Sequence, residues 1–201
     1  MSTGSVLLDA AALRSLLPPS SLVSHLLSSL PFHSATVHSP TRQSFPINPD
    51  SSSSLLLMPS WSTSPTLPYI GVKIVTTFPQ NSARGLPGVS ASYVLFNSST
   101  GASLASFDGT ELTLLRTSAV SALASRFLSR DDSRVLVMVG SGALAPYLIR
   151  AHRSVRPGIE KVIIWNRSAA KARDLARRLA EDEGAQKVER SFSSMQKYWT
   201  K

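Results

Sequence analysis

Along this chain the apolar positions alternate between a period of two and a period of 3.6, and the changes mark out its elements. Ser5-Val-Leu-Leu-Asp9 reads as a short strand leading into a helix over 10–17, and a second helical stretch, 20–30, follows the Pro18-Pro19 break. Residues 51–54 read as a polar loop tip. Leu55-Leu-Leu-Met58 reads as a strand that Pro59 ends, and 68–76 reads as another. Segments 90–96 and 102–107 form a predicted hairpin around Asn97-Ser-Ser-Thr-Gly101 that closes on Asp108-Gly109. From 111 to 129, Leu112, Leu115, Ala119, Leu123 and Phe127 keep helical spacing, which predicts a helix facing the core. A β-branched run at 134–139, a helical stretch, a second apolar run at 161–165 and a charged helix over 169–183 follow, with a short third strand expected near Lys187-Val188. The fold class expected from this order is α/β. A mixed α+β substrate and dimerisation domain spans 1–130, an incomplete Rossmann-type domain spans 131–190, and 191–201, which lacks either period, is read as a divergent, disordered tail.

The second half carries the sharpest chemical signal. Arg134-Val-Leu-Val-Met-Val-Gly140-Ser-Gly142-Ala-Leu-Ala145 is a buried strand entering a Gly-x-Gly-x-x-Ala turn, and Lys161-Val-Ile-Ile-Trp-Asn166-Arg167-Ser168 supplies the second strand. That is the front of a dinucleotide-binding βαβ unit. Gly140 allows the tight turn, Gly142 lets backbone approach a pyrophosphate, and Ala145 lets the helix pack close to its strand. With Ala143 and Leu144, they place the free N–H groups of a helix N-terminus at the phosphates. A unit that binds NAD carries Asp or Glu about 20 residues beyond the glycines, to hold the ribose 2′-hydroxyl. Here Asn166, Arg167 and Ser168 stand there without a carboxylate. A guanidinium flanked by amide and hydroxyl donors suits a 2′-phosphate, so NADPH is expected ahead of NADH or NAD. The plainer reading, that Asn166 and Ser168 cap the following helix and Arg167 is solvated, accounts for the caps and leaves the missing acid unexplained.

Composition narrows the class. The 201 residues hold one ordinary domain or two small ones, and 42% hydrophobic residues suffice for a core. No apolar run approaches the roughly 18 residues that would span a bilayer, so no membrane role is expected. The absence of cysteine removes disulfides, thiolate metal sites and a cysteine nucleophile, and His25, His33, His38 and His152 lack metal-ligand spacing. Of the net charge of +9, residues 150–201 carry +7, from thirteen Lys and Arg against six Asp and Glu. Mixed signs on the segment 169–183 describe a solvated helix face, and no nucleic-acid motif accompanies them, so nucleic acid is not an expected partner. The first 60 residues are Ser- and Pro-rich with only Asp9 and Asp50 as acids, a composition like that of a plastid transit segment. A plastid or cytoplasmic location is expected.

Several strings together resemble one family. Leu57-Met58-Pro59, Gly71-Val-Lys73, Leu86-Pro87, Tyr93-Val-Leu-Phe96, Asp108-Gly109 and Leu112-Thr113-x-x-Arg116-Thr117, continued by Gly140-Ser-Gly142-Ala and Trp165-Asn166-Arg167, resemble the ornithine cyclodeaminase/mu-crystallin family from about residue 5 to 185. Within it the strings are closest to plant reductases that convert dehydropipecolate to pipecolate. The resemblance implies an NAD(P)H-dependent reductase of a small cyclic imino acid, acting as a homodimer. It also implies that Arg42, Lys73 and Arg116 hold the substrate, and that Arg116-Thr117 touches cofactor phosphate. Such a substrate carries a carboxylate and a C=N bond, so fixed cations suit it. Arg116 could clamp a carboxylate bidentately, and Lys73 would be costly to bury in an apolar strand without a polar partner. Against these stand a strand-edge Lys73 with its head in water and an ordinary surface Arg42.

The family continues for more than a hundred residues beyond the length seen here, and its acidic catalytic residue lies in that part. The expectation is therefore a C-terminally truncated, inactive relative whose two-strand Rossmann portion leaves an apolar edge uncovered. Two rival readings stand beside it. One is an ornithine cyclodeaminase, which the missing acid after the second strand argues against; the other is a non-catalytic fragment that binds nucleotide, small ligand or a longer partner.

Overall fold

The computed structural model describes residues 4–48 and 52–182. By its internal contacts the chain divides into two compact units, Met1–Pro18 with Leu27–Thr113, and Pro19–Leu26 with Leu114–Lys201.

The first unit is built on a seven-stranded mixed sheet. In chain order it contains β1 (Val6–Leu8), α1 (Ala10–Leu16), β2 (Val37–His38), β3 (Gln43–Pro46), β4 (Ser54–Ser62), β5 (Tyr69–Thr77), a 3₁₀ turn (Pro79–Arg84), β6 (Val89–Asn97) and β7 (Ser103–Asp108). The strands run β1-β7-β6-β5-β4-β2, with β3 also on β4; β1 lies parallel to β7 and the other pairs are antiparallel. Asp9 caps α1 through a 2.8 Å bond from the Ala12 N–H, and α1 packs on β1 and β7 with Leu13 buried. Asp108 does the same for α3 (Gly109–Leu128) by accepting from the Glu111 N–H at 2.8 Å. A Cβ on Gly109 would lie 2.8 Å from the Ala91 and Ser92 backbone. Only glycine lets this helix start so close to β6.

Three expectations need correction here. Pro59 does not end β4; the strand runs on to Ser62. Pro59 pairs with Val72 of β5 on one side, and on the other it falls between the β3 pairing, which stops at Leu57, and the β2 pairing, which begins at Trp61. On that side the missing N–H costs no ladder bond. The polar tip expected at 51–54 already enters β4 at Ser54, and Ser51 lies outside the described residues. Phe127, expected in the core, is 67% exposed beside Leu128 at 85%. Its helix is buried at Leu115 and Ala119, as the spacing places them, and at Ala122, and the pattern runs out in the last turn.

The second unit holds part of α2 (Pro19–His33), most of α3, β8 (Val135–Val139), α4 (Ala145–Val155), β9 (Lys161–Trp165) and α5 (Ala169–Asp182). β8 and β9 are parallel, in register from Val135–Lys161 to Val139–Trp165. One core joins Ala145 and Ile149 of α4, Val162 and Ile164 of β9, and Ala172, Leu175, Ala176 and Leu179 of α5, with Leu136 and Met138 of β8 against it. A second core sets Val23 against Ala119, Ala122 and Ala151, whose small side chains let the helices approach closely. The α/β class and the strand–turn–helix–strand order of a Rossmann unit are both present. The third strand near Lys187-Val188 and the tail 191–201 lie outside the described residues.

Candidate functional site

The turn after β8 is shaped for a phosphate. Gly140 takes φ +108°, a conformation that side chains disfavour, and its N–H donates to the Trp165 carbonyl at 2.7 Å, which ties the ends of the two parallel strands together. The Ala145 N–H closes the turn on the Gly142 carbonyl at 3.0 Å. Ala143 and Leu144 complete it, and α4 then starts with a proline in its first turn and no side-chain cap. No side chain of the turn therefore stands between the start of this helix and a ligand. A Cβ on Gly142 would meet nothing within 4 Å, so the turn opens on space a pyrophosphate can use. The residues present fit a dinucleotide.

At the end of β9, the Asn166 side-chain amide donates to the Ser168 carbonyl at 3.2 Å. That carbonyl also accepts from the Ala172 N–H at 3.3 Å, so Ser168 is the cap position just before α5. Arg167 and Ser168 are exposed. Asn166 thus shapes the turn, and Arg167 stands exposed at the strand end.

Two recesses adjoin the glycine turn. One, of 390 Å³, is bounded by Ser141, Ala170, Lys171, Asp174 and Arg178. The other, of 480 Å³, runs from Ser141–Ala143 past Pro146, Tyr147 and Arg150 of α4 to Leu175, Arg178 and Leu179 of α5. Asp174 holds Arg177 at 2.8 Å and Arg178 at 3.1 Å, and Arg177 also binds Glu181 at 2.9 Å. The carboxylates of Asp174 and Glu181 hold the Arg177 guanidinium above its ordinary pKa. Sequence reasoning passed over Ser141 and Lys171. The available signal was spacing, since Lys171 follows Ser168 by one helical turn.

The basic positions fall into separate places. Lys73 is half-buried in β5, an inner strand paired with β4 and β6, so it is not a strand-edge lysine. It stands in register between Met58 and Tyr93. Tyr93 meets Phe107 edge-on at 6.0 Å, and its ring leans over Gly71, where a Cβ would meet the phenol oxygen at 1.8 Å. Arg42 is exposed immediately before β3, whose first residue Gln43 pairs with Leu57. One strand, β4, therefore separates Arg42 from Lys73. Arg116 is exposed and Thr117 half-buried on α3, and neither bounds the two recesses beside the glycine turn.

Residues 13–196 match the ornithine cyclodeaminase/mu-crystallin family. The chain belongs to this family. It is 53% identical over 189 residues to "Protein SAR DEFICIENT 4" of Arabidopsis thaliana, covering 94% of this chain and 57% of that protein. It is 42% identical over 140 residues to Delta(1)-pyrroline-2-carboxylate reductase of Colwellia psychrerythraea, covering 68% of this chain and 43% of the relative. Among solved structures it is similar to Thermococcus litoralis Delta(1)-pyrroline-2-carboxylate reductase in complex with NADH and L-proline, with a TM-score of 0.82 at 28% identity, over 95% of this chain and 58% of the other. It is also similar to an archaeal alanine dehydrogenase dimer with bound NAD, with a TM-score of 0.74 at 25% identity, over 96% and 57%. The chain thus spans about half the length of the family members it matches.

Proposed function

We propose that this chain carries the substrate-side sheet and the phosphate-binding turn of an NADPH-dependent reductase of a small cyclic imino acid, of the dehydropipecolate-to-pipecolate kind. The observation that carries the reading is the end of β9. Asn166, exposed Arg167 and Ser168 follow the strand tied to the Gly140 turn, with no carboxylate to hold a 2′-hydroxyl or repel a 2′-phosphate. Relatives named as pyrroline-carboxylate reductases support the substrate class, and the NADH and L-proline bound by the Thermococcus litoralis enzyme support a nicotinamide dinucleotide acting on a small ring.

In this reading the Gly142–Leu144 backbone and the α4 N-terminus hold the pyrophosphate, and Arg167 and Ser168 hold the 2′-phosphate. When bound, the dinucleotide supplies the hydride that the C=N carbon accepts. Lys73, half-buried in an apolar strand, and Arg116 supply cations for the substrate carboxylate. Arg42 is a weaker candidate for that work, being exposed at the sheet margin. Homodimerisation and a plastid or cytoplasmic location belong to the same proposal; the acid-poor start supports the location.

The experiment is competitive binding of NADPH and NADH to the parent chain and to Arg167→Ala. A charge-assisted hydrogen bond is worth about 1.5–3 kcal/mol, so the substitution should remove about one to two decades of NADPH preference. Equal binding of the two dinucleotides by the parent protein would refute the assignment.

A further inference from the structure

We infer that Lys171, with the Ser141 hydroxyl, completes the 2′-phosphate subsite, so that selection of a phosphorylated dinucleotide is shared between the end of β9 and the first turn of α5. The inference rests on the proposed NADPH reading and names a determinant that the motif at 166–168 does not contain. Its basis is the 390 Å³ recess whose boundary joins the glycine turn, through Ser141, to Ala170 and Lys171 of α5. On α5 this recess starts two residues after Ser168, which immediately precedes that helix. An anion seated there meets the α5 N-terminal turn, a hydroxyl and an ammonium, which form a donor set suited to a phosphate monoester.

The other charged groups on the boundary do not oppose it. Asp174 is the one carboxylate among them, and it is held by Arg177 at 2.8 Å and Arg178 at 3.1 Å. Its charge is therefore compensated by two guanidiniums, one of which, Arg178, itself bounds the recess. The boundary thus carries two cations, Lys171 and Arg178, against one carboxylate. Lys171 is exposed, so its contribution is that of a flexible point charge: smaller than that of Arg167, and sensitive to salt.

The test uses adenosine 2′,5′-bisphosphate and 5′-AMP, titrated calorimetrically into the 201-residue chain at low and high salt. Both ligands share the adenosine and differ in the 2′-phosphate. Lys171→Ala should weaken the bisphosphate about three- to tenfold and leave 5′-AMP unchanged, with the loss shrinking at high salt, while Lys171→Arg keeps the parent ratio. An unchanged ratio in Lys171→Ala, alongside a collapsed ratio in Arg167→Ala, overturns this inference and leaves the NADPH reading standing. An equal loss for both ligands also overturns it. Equal binding of the two ligands by the parent chain overturns the NADPH reading and this inference together.

Discussion

At the scale of single residues, the strings that point to the family acquire separate physical reasons. Gly71-Val-Lys73 illustrates this. Lys73 is half-buried because β5 is an inner strand, and Gly71 is buried because the Tyr93 ring lies across it from the neighbouring strand. Tyr93 pairs directly with Lys73, so the ring reaches Gly71 along the diagonal. Nothing in the linear sequence announces that diagonal; it follows from a register that only the assembled sheet sets. Gly71→Ala would place a methyl 1.8 Å from the phenol oxygen and 2.5 Å from the ring carbon that bears it. Tyr93 must then swing out and give up its edge contact with Phe107. The expected cost is about 1–3 kcal/mol, typical of overpacking, read as a lower urea midpoint. In a Tyr93→Ala background the same substitution should be close to neutral. A full-sized penalty there would show that Tyr93 is not what the methyl meets.

At the scale of elements, the sequence was most legible where period and punctuation agreed. The hairpin β6–β7, the start of α1 after Asp9, and the β8–α4–β9 order could all be read from residues, whereas α3 starts at Gly109, ahead of the expected 111. The two-residue β2 and four-residue β3 could not. Every residue in them is exposed, so no alternation of burial marks them, and their pairing with β4 alone makes them strands. The end of α3 was equally illegible, because its cap is supplied from 27 to 31 residues away. Arg156, nearly buried, donates through Nη2 to the carbonyls of Ser125, Arg126 and Ser129 at 3.3, 2.8 and 3.0 Å, and through Nε to the Ser129 hydroxyl at 3.0 Å. It also meets Asp131 at 3.1 Å. One planar fork thus serves the Arg126 and Ser129 carbonyls that a helix end leaves open, and adds to the bonds the Ser125 carbonyl already accepts from Ser129. Arg156→Ala is expected to cost about 1–3 kcal/mol, since the part-buried Arg126 and Ser129 carbonyls lose their donor together. Arg156→Lys should recover less than half, because an ammonium cannot span three carbonyls in that geometry. Denaturant unfolding of both variants decides the point, and a change below about 0.5 kcal/mol for Arg156→Ala, the size of an ordinary surface substitution, would assign the cap no energetic role.

At the scale of the whole molecule, the covering of the second unit's two-stranded sheet decides how the chain behaves in solution. The nucleotide turn could be read from sequence because glycine spacing and strand pattern are local. The state of the sheet's second face is a question of tertiary covering, which spacing does not reach. On one face of the β8–β9 pair, Leu136, Met138, Val162 and Ile164 pack against α4 and α5. On the other, Val135, Val137 and Val139 are 48, 55 and 57% exposed, in register with Lys161, Ile163 and Trp165. Parallel sheets are normally covered on both faces, and β-branched residues on an open face favour pairing with another chain. Expressed as these 201 residues, the protein is therefore expected to self-associate at micromolar concentration. Replacing Val135 and Val137 with Thr keeps β-branching while lowering the apolar area, so it should shift the population toward monomer and leave the fold's circular dichroism unchanged. Size-exclusion chromatography with light scattering across a concentration series makes the measurement. A parent protein that stays monomeric up to tens of micromolar would show that the three valines do not drive association, and that the open face is tolerated by this chain.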